Sequence, residues 1–154
     1  MLSGDLDQIS YVEYISQKAI GKSSRSNPVT YIKAYDDIRK LYASLRESKI
    51  RGYKPKHFSF NVDGGRCETC KGEGVNTIEM QFMPDVNLTC ESCNGKRFKN
   101  EILEVQIKGK NISDILDLTV DDAIIFFNEL EEEKISEKLK VLQKVGLGLS
   151  LIHI

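Results

Sequence analysis

Apolar residues recur along this chain with two different periods, and the periods divide it into short elements. Over 30–45, Ile32, Tyr35, Ile38, Leu41, Tyr42 and Leu45 fall three or four apart, which predicts one amphipathic helix with its tyrosines in the core. Over 75–82 the period is two. Ile78, Met80 and Phe82 share a face against Thr77, Glu79 and Gln81, which predicts a half-buried strand. Pro84-Asp85 ends it in a turn and implies a return strand toward position 90. Another alternation over 101–107 puts Leu103, Val105 and Ile107 on one side, before a turn at Gly109-Lys110-Asn111. Segment 9–15, rich in Ile, Tyr and Val, is a further strand candidate. Near the end, Thr119 and Asp122 have the spacing of a capping box and open a helix through about 130. Glu131 to Glu133 reads as a solvated linker. A last helix runs from about 136, with Gly146 placed to follow its C-cap. Helices and short strands together predict an α+β chain.

Composition narrows the class. The 154 residues, 40% of them hydrophobic, are one domain's worth of protein. No run of about 18 apolar residues is present. Residues 1–16 carry three acids and no Lys or Arg, which does not fit a secretory signal, so a cytoplasmic location is the expectation. A net charge of −1 conceals an asymmetry: 17–71 holds 13 basic residues against 5 acidic, and 101–140 holds 5 against 11. The split suits a part that faces a polyanion and a solvated acidic part, although two ordinary solvated surfaces would also produce it. Within the basic half, Lys49, Arg51, Lys54 and Lys56 interleave with Tyr53, His57 and Phe58, a composition suited to phosphate-backbone contact. Gly21-Lys22-Ser23 is not a P-loop, because that pattern needs glycine at position 16 and Ser16 stands there.

The sharpest chemical signal is the set Cys67, Cys70, Cys90 and Cys93: C-x2-C, 19 residues, C-x2-C. Two residues between cysteines let a tight knuckle aim both sulfurs at one ion, and two knuckles complete a tetrahedral thiolate shell. Such a shell leaves no open position for water, so it predicts a structural zinc ion, not a catalytic one. Two disulfides would need an oxidising compartment, and a redox C-x-x-C pair usually occurs singly. Gly72 and Gly95 stand at matching places after the two knuckles, where positive φ lets backbone N–H groups approach sulfur. A module this small has little core of its own, so the metal supplies much of its folding free energy.

Longer motifs carry a resemblance. They are the stretch 17–31 (QKAIGKSSRSNPVTY), Arg51-Gly-Tyr53, and Phe58-Ser-Phe60-Asn61-Val62-x-Gly64-Gly65-Arg66-Cys67. The two knuckles, Glu79-Met80-x-Phe82-x-Pro84-Asp85 and Gly95-Lys96-Arg97 follow, then Leu116-Asp117-x-Thr119, Phe126-Phe127 and Val145-Gly146-Leu147. Together they resemble the C-terminal half of the UvrA family, the damage-recognition ATPases of the bacterial excinuclease that acts in nucleotide excision repair.

The resemblance implies a fragment of an ABC-type ATPase domain, with a helical insertion and a four-cysteine zinc module. Residues 1–56 would belong to the ATP-binding cassette, 57–112 to the zinc module, and 113–148 to the helical part of the signature domain. It places Gln17 as the Q-loop glutamine, a Mg²⁺ contact that orients the attacking water. It implies double-stranded DNA, preferably damaged, as partner, with Lys22, Arg25, Arg51, Lys54, Lys56 and Arg66 as contacts. ATP and Mg²⁺, a UvrA homodimer and UvrB belong to the intact parent. No Walker A lysine, L-S-G-G-E signature or Walker B aspartate is present in the chain. It is therefore expected to be an internal fragment with little ATP affinity and no ATPase activity of its own. Residues 149–154 do not match and read as a tail left by truncation or a frame error, so His153 is not the family's switch histidine. Two other classes share the knuckles. A DnaJ-type chaperone module has C-x-x-C-x-G-x-G units, but four of them, and here Arg97 stands where the second unit's last glycine belongs. A stand-alone zinc ribbon would bind zinc without DNA.

Overall fold

The computed structural model describes residues 8, 10–14 and 27–153. Its elements, in chain order, are α1 (Pro28–Tyr31), α2 (Ala34–Ser44), α3 (Arg46–Ile50), a 3₁₀ turn (Pro55–Phe58), β1 (Val75–Ile78), β2 (Val86–Thr89), α4 (Asn100–Leu103), α5 (Ile112–Leu116), α6 (Val120–Glu129) and α7 (Glu133–Lys144). Helices α2, α6 and α7 pack around a core that includes the fully buried Ile38, Tyr42, Phe58, Ile115, Phe127 and Leu139. Helix α6 opens at the expected Thr119, whose Oγ1 accepts from the Asp122 N–H at 3.1 Å; in place of the box's reciprocal backbone bond, the Thr119 hydroxyl donates to Asp122 Oδ2 at 2.8 Å. Helix α7 closes in a Schellman arrangement: Gly146, at φ 85°, donates to the Gln143 carbonyl and Leu147 to the Leu142 carbonyl, both at 3.0 Å.

Several expectations are corrected. The single helix over 30–45 is two, because Lys33 takes a left-handed φ of 57° between α1 and α2. Lys138 of α7 holds the Lys33 carbonyl at 3.0 Å and the Asp37 carboxylate at 2.6 Å, so a side chain 105 residues from Lys33 supports the break. The apolar stripe survives, with Tyr35, Ile38 and Tyr42 buried.

The alternation over 101–107 is not a strand: Asn100–Leu103 is one helical turn. Leu103, Val105 and Ile107 are buried nonetheless. The next turn centres on Lys108 and Gly109, φ 47° and 78°, closed by reciprocal 2.9 Å bonds between Ile107 and Lys110. Asn111 caps α5, an element with no periodic signal. Helix α7 starts at Glu133, inside the expected linker. Of the 9–15 strand candidate, residues 10–14 form no strand and are exposed, while Ile9 and Ile15 lie outside the described residues.

Residues 152 and 153 join the fold. The Ile152 N–H donates to the Leu118 carbonyl at 3.0 Å and its carbonyl accepts from Val29 at 3.2 Å, with the side chain fully buried. His153 lies edge-on to Phe60 at 4.8 Å, and burial pushes it down to about 4, so it is a neutral core group at physiological pH.

Candidate metal centre and cationic surface

The four-cysteine module leaves the helical body through the turns and bends at 61–65 and returns beside the point of exit. Arg66 and Phe98 form an antiparallel bridge there, and the core has no member between Phe60 and Phe98. Beyond the bridge lie the two knuckles and the β1–β2 hairpin, with Val75 opposite Thr89 and Ile78 opposite Val86. The hairpin is shorter than the alternation suggests and is not half-buried. One face carries Ile78, Val86 and Leu88, 40–50% exposed, and Phe82 at the tip is 95% exposed. The Met80 N–H donates to the Asp85 carboxylate at 3.0 Å across the connecting loop, whose bends fall at 81–83, just before the expected Pro84-Asp85 turn.

The knuckles are near-copies related by a local twofold. Each reads Cys-Glu-Thr/Ser-Cys-x-Gly-x, and positive φ recurs at matching places: Lys71, Gly72 and Gly74 in the first, Asn94, Gly95 and Arg97 in the second. Each first cysteine donates its N–H to the far end of the other knuckle, Cys67 to the Arg97 carbonyl at 2.8 Å and Cys90 to the Gly74 carbonyl at 2.9 Å. Thr69 and Ser92 meet across the axis at 2.8 Å. The matched sequences hinted at this pairing, but only the fold brings the two hydroxyls together.

All four Sγ atoms lie within 4.8 Å of one another, with each cysteine buried. The cross-knuckle separations are 4.0 Å for Cys67–Cys90 and 3.7 Å for Cys70–Cys93. A tetrahedral shell with bonds of about 2.3 Å puts its corners about 3.8 Å apart, so the cluster fits one metal ion. Backbone N–H groups face the sulfurs, as Gly74 does Cys70 at 3.2 Å. Burial pushes the Cys93 thiol up to about 12. At Cys90 burial acts the same way but is outweighed by the N–H groups of Cys93 and Ser92, which bring it down to about 7. Filling the shell with thiolates at neutral pH therefore releases protons, and metal affinity falls with acidity.

The basic residues do not form one patch. Arg51 is held by Glu104 at 2.5 Å and Glu47 at 2.8 Å, tying α3 to α4. Lys54 and Lys56 are exposed and have no carboxylate partner among the described residues. Arg66 is mostly buried and engaged by its own knuckle's entry, with the exposed Asp63 carboxylate at 2.7 Å. Gln17, Lys22 and Arg25 lie outside the described residues. Among those described, no helix is long and apolar enough to cross a membrane.

No family model matches the chain. Individual proteins do. It is 51% identical over 151 residues to UvrABC system protein A of Streptococcus pyogenes serotype M1, and 54% identical over 143 residues to that of Bacillus subtilis. Those matches cover 94% and 93% of the chain. The solved structure of UvrA2 from Deinococcus radiodurans superposes on 98% of it with a TM-score of 0.88 and 46% identity. The chain is a segment of UvrA type. It spans 16% and 15% of the length of those two curated UvrA relatives and 18% of the solved UvrA2 chain. Its mixed helical body, two-stranded antiparallel sheet and four-cysteine cluster are thus a UvrA fold element, and the chaperone resemblance is confined to the knuckles.

Proposed function

We propose that this chain is the zinc-bearing, DNA-facing part of a UvrA-type damage-recognition ATPase of nucleotide excision repair. The observation that carries the reading is the four-sulfur cluster, set in a chain about half identical to UvrABC system protein A. Zinc is the ion that an all-thiolate tetrahedral site favours, and four protein ligands make its role structural. Cys67, Cys70, Cys90 and Cys93 would hold it.

The partner is double-stranded DNA, damaged in preference to intact. Lesions of diverse chemistry share no base-edge pattern, so deformability and backbone path are what remains to be read. A hairpin pinned by metal at its base suits that task. Its residues 75–89 include no Lys or Arg, so phosphate contacts fall to the flanking cations Lys22, Arg25, Lys54 and Lys56. ATP and Mg²⁺, with Gln17 as a Mg²⁺ contact, enter only in the intact ABC-type parent, as do the UvrA homodimer and UvrB. In that parent 1–56 completes the cassette and 113–148 the signature domain, in the cytoplasm.

The test is duplex binding by the full chain across a salt series. Affinity is expected to fall steeply with salt and to be indifferent to sequence. Replacing Lys22 and Arg25 together by glutamine should lower the log–log salt slope by about 1.8, two phosphate contacts at about 0.9 each, with metal content unchanged. Unchanged binding at low salt would remove that loop from the interface. Capture of unfolded polypeptide in place of DNA would favour the chaperone class.

A further inference from the structure

We propose that Arg66 is a positioning residue of the metal centre, acting through the first knuckle and not on nucleic acid. The inference rests on the metal reading of the four cysteines. The two knuckles differ in how the chain enters them. Strand β2 runs directly into Cys90, so the second knuckle is held by the β1–β2 ladder. The first has no strand leading in: residues 61–65 are turns and bends, with only the single bridge at Arg66 before Cys67.

The guanidinium takes the place of that ladder. Its Nε donates to Asp63 Oδ1 at 2.9 Å and one terminal nitrogen lies 2.7 Å from the same oxygen. The other terminal nitrogen donates to two carbonyls, Lys71 at 3.1 Å and Asn61 at 3.3 Å. Lys71 directly follows the ligand Cys70 and has a left-handed φ of 51°. The clamp thus ties the incoming turn to the left-handed residue that directly follows the second ligand. The side chain is 13% exposed, and all three of its nitrogens are engaged. Four of its five N–H donors are thereby used, so a phosphate could not take the bidentate grip that arginine normally offers without displacing part of the clamp. Lysine carries the same charge but is a point donor and cannot span these acceptors.

Cobalt(II) titration of the full chain tests this, since tetrahedral thiolate–cobalt bands report both affinity and geometry. The wild-type chain should give those bands; if it does not, the metal reading itself fails and the proposal with it. With wild-type binding in hand, Arg66→Lys and Arg66→Gln should each bind cobalt about tenfold more weakly or worse, with shifted bands, while the helical circular dichroism is retained. Asp63→Asn, which removes the carboxylate that orients the fork, should weaken binding in the same direction, and it decides the matter should the Arg66 variants lose helical signal. Arg66→Lys binding at wild-type affinity would overturn the proposal, because charge alone would then suffice. Asp63→Asn binding at wild-type affinity after loss of the Arg66 variants would overturn it as well.

Discussion

Replacing Cys90 by serine, or Cys67 likewise, is expected to unfold residues 67–93 and leave the helical body folded. The cysteines cluster only with one another, and no residue between Phe60 and Phe98 belongs to the main core. The hairpin's apolar side chains are substantially exposed, so burial contributes little to its stability. A two-stranded hairpin is marginal in water by itself. Four thiolates and an ion contribute on the order of 10 kcal/mol in small zinc-folded peptides, and three ligands hold the ion far less well. Limited proteolysis, read with metal content, should show cleavage inside 67–93 rising by orders of magnitude while far-ultraviolet dichroism keeps most of its helical signal. A variant that retained full metal and protease resistance there would show that the hairpin folds without the centre.

The second large effect is expected where the module joins the body. A Cβ on Gly65 would lie 1.7 Å from the His57 carbonyl oxygen and 2.7 Å from its carbon, both backbone atoms that cannot swing aside. Gly65 also accepts the Lys99 N–H at 2.9 Å, so the two segments at the exit point cannot part without losing that bond. Gly65→Ala should cost about 3 kcal/mol or more, the range of severe backbone and packing conflicts. Gly52 is the internal comparison. Its φ is 70°, but nothing lies within 4 Å of the added carbon, so Gly52→Ala should cost only the strain of a left-handed residue, about 1 kcal/mol. Urea melts of the two variants measure the difference. Equal costs would mean that conformation, not contact, sets the requirement at Gly65.

Those two regions also show what the sequence could and could not convey. The four-cysteine cluster was legible because its information is local: one C-x2-C unit with a glycine at a fixed offset builds each half, and the geometry of a tetrahedral thiolate site predicts that the halves meet. The Thr119 cap and the Gly146 terminus were legible for the same reason. The break at Lys33 was not, because it is supported by Lys138 reaching across from α7, and no local rule marks a lysine for left-handed backbone. Segment 101–107 misled through Leu103, Val105 and Ile107, which are buried from a helical turn and an irregular stretch, so period-two spacing arose without a strand. In the hairpin the alternation was real but its meaning differed: the apolar face is open, and none of the described residues covers it fully. Arg66 is a DNA contact only by resemblance; its hydrogen bonds to Asp63 and the Lys71 carbonyl could not be read from the sequence, because only the fold brings those acceptors together.

The most direct test of the account is the metal itself. Native mass spectrometry of the purified chain, paired with elemental analysis, should give one zinc per chain. Acid denaturation should then release it and leave a mass with four free thiols. A chain that carried no metal, or whose mass showed its cysteines joined in disulfides, would contradict the structural zinc centre on which the reading of this UvrA segment rests.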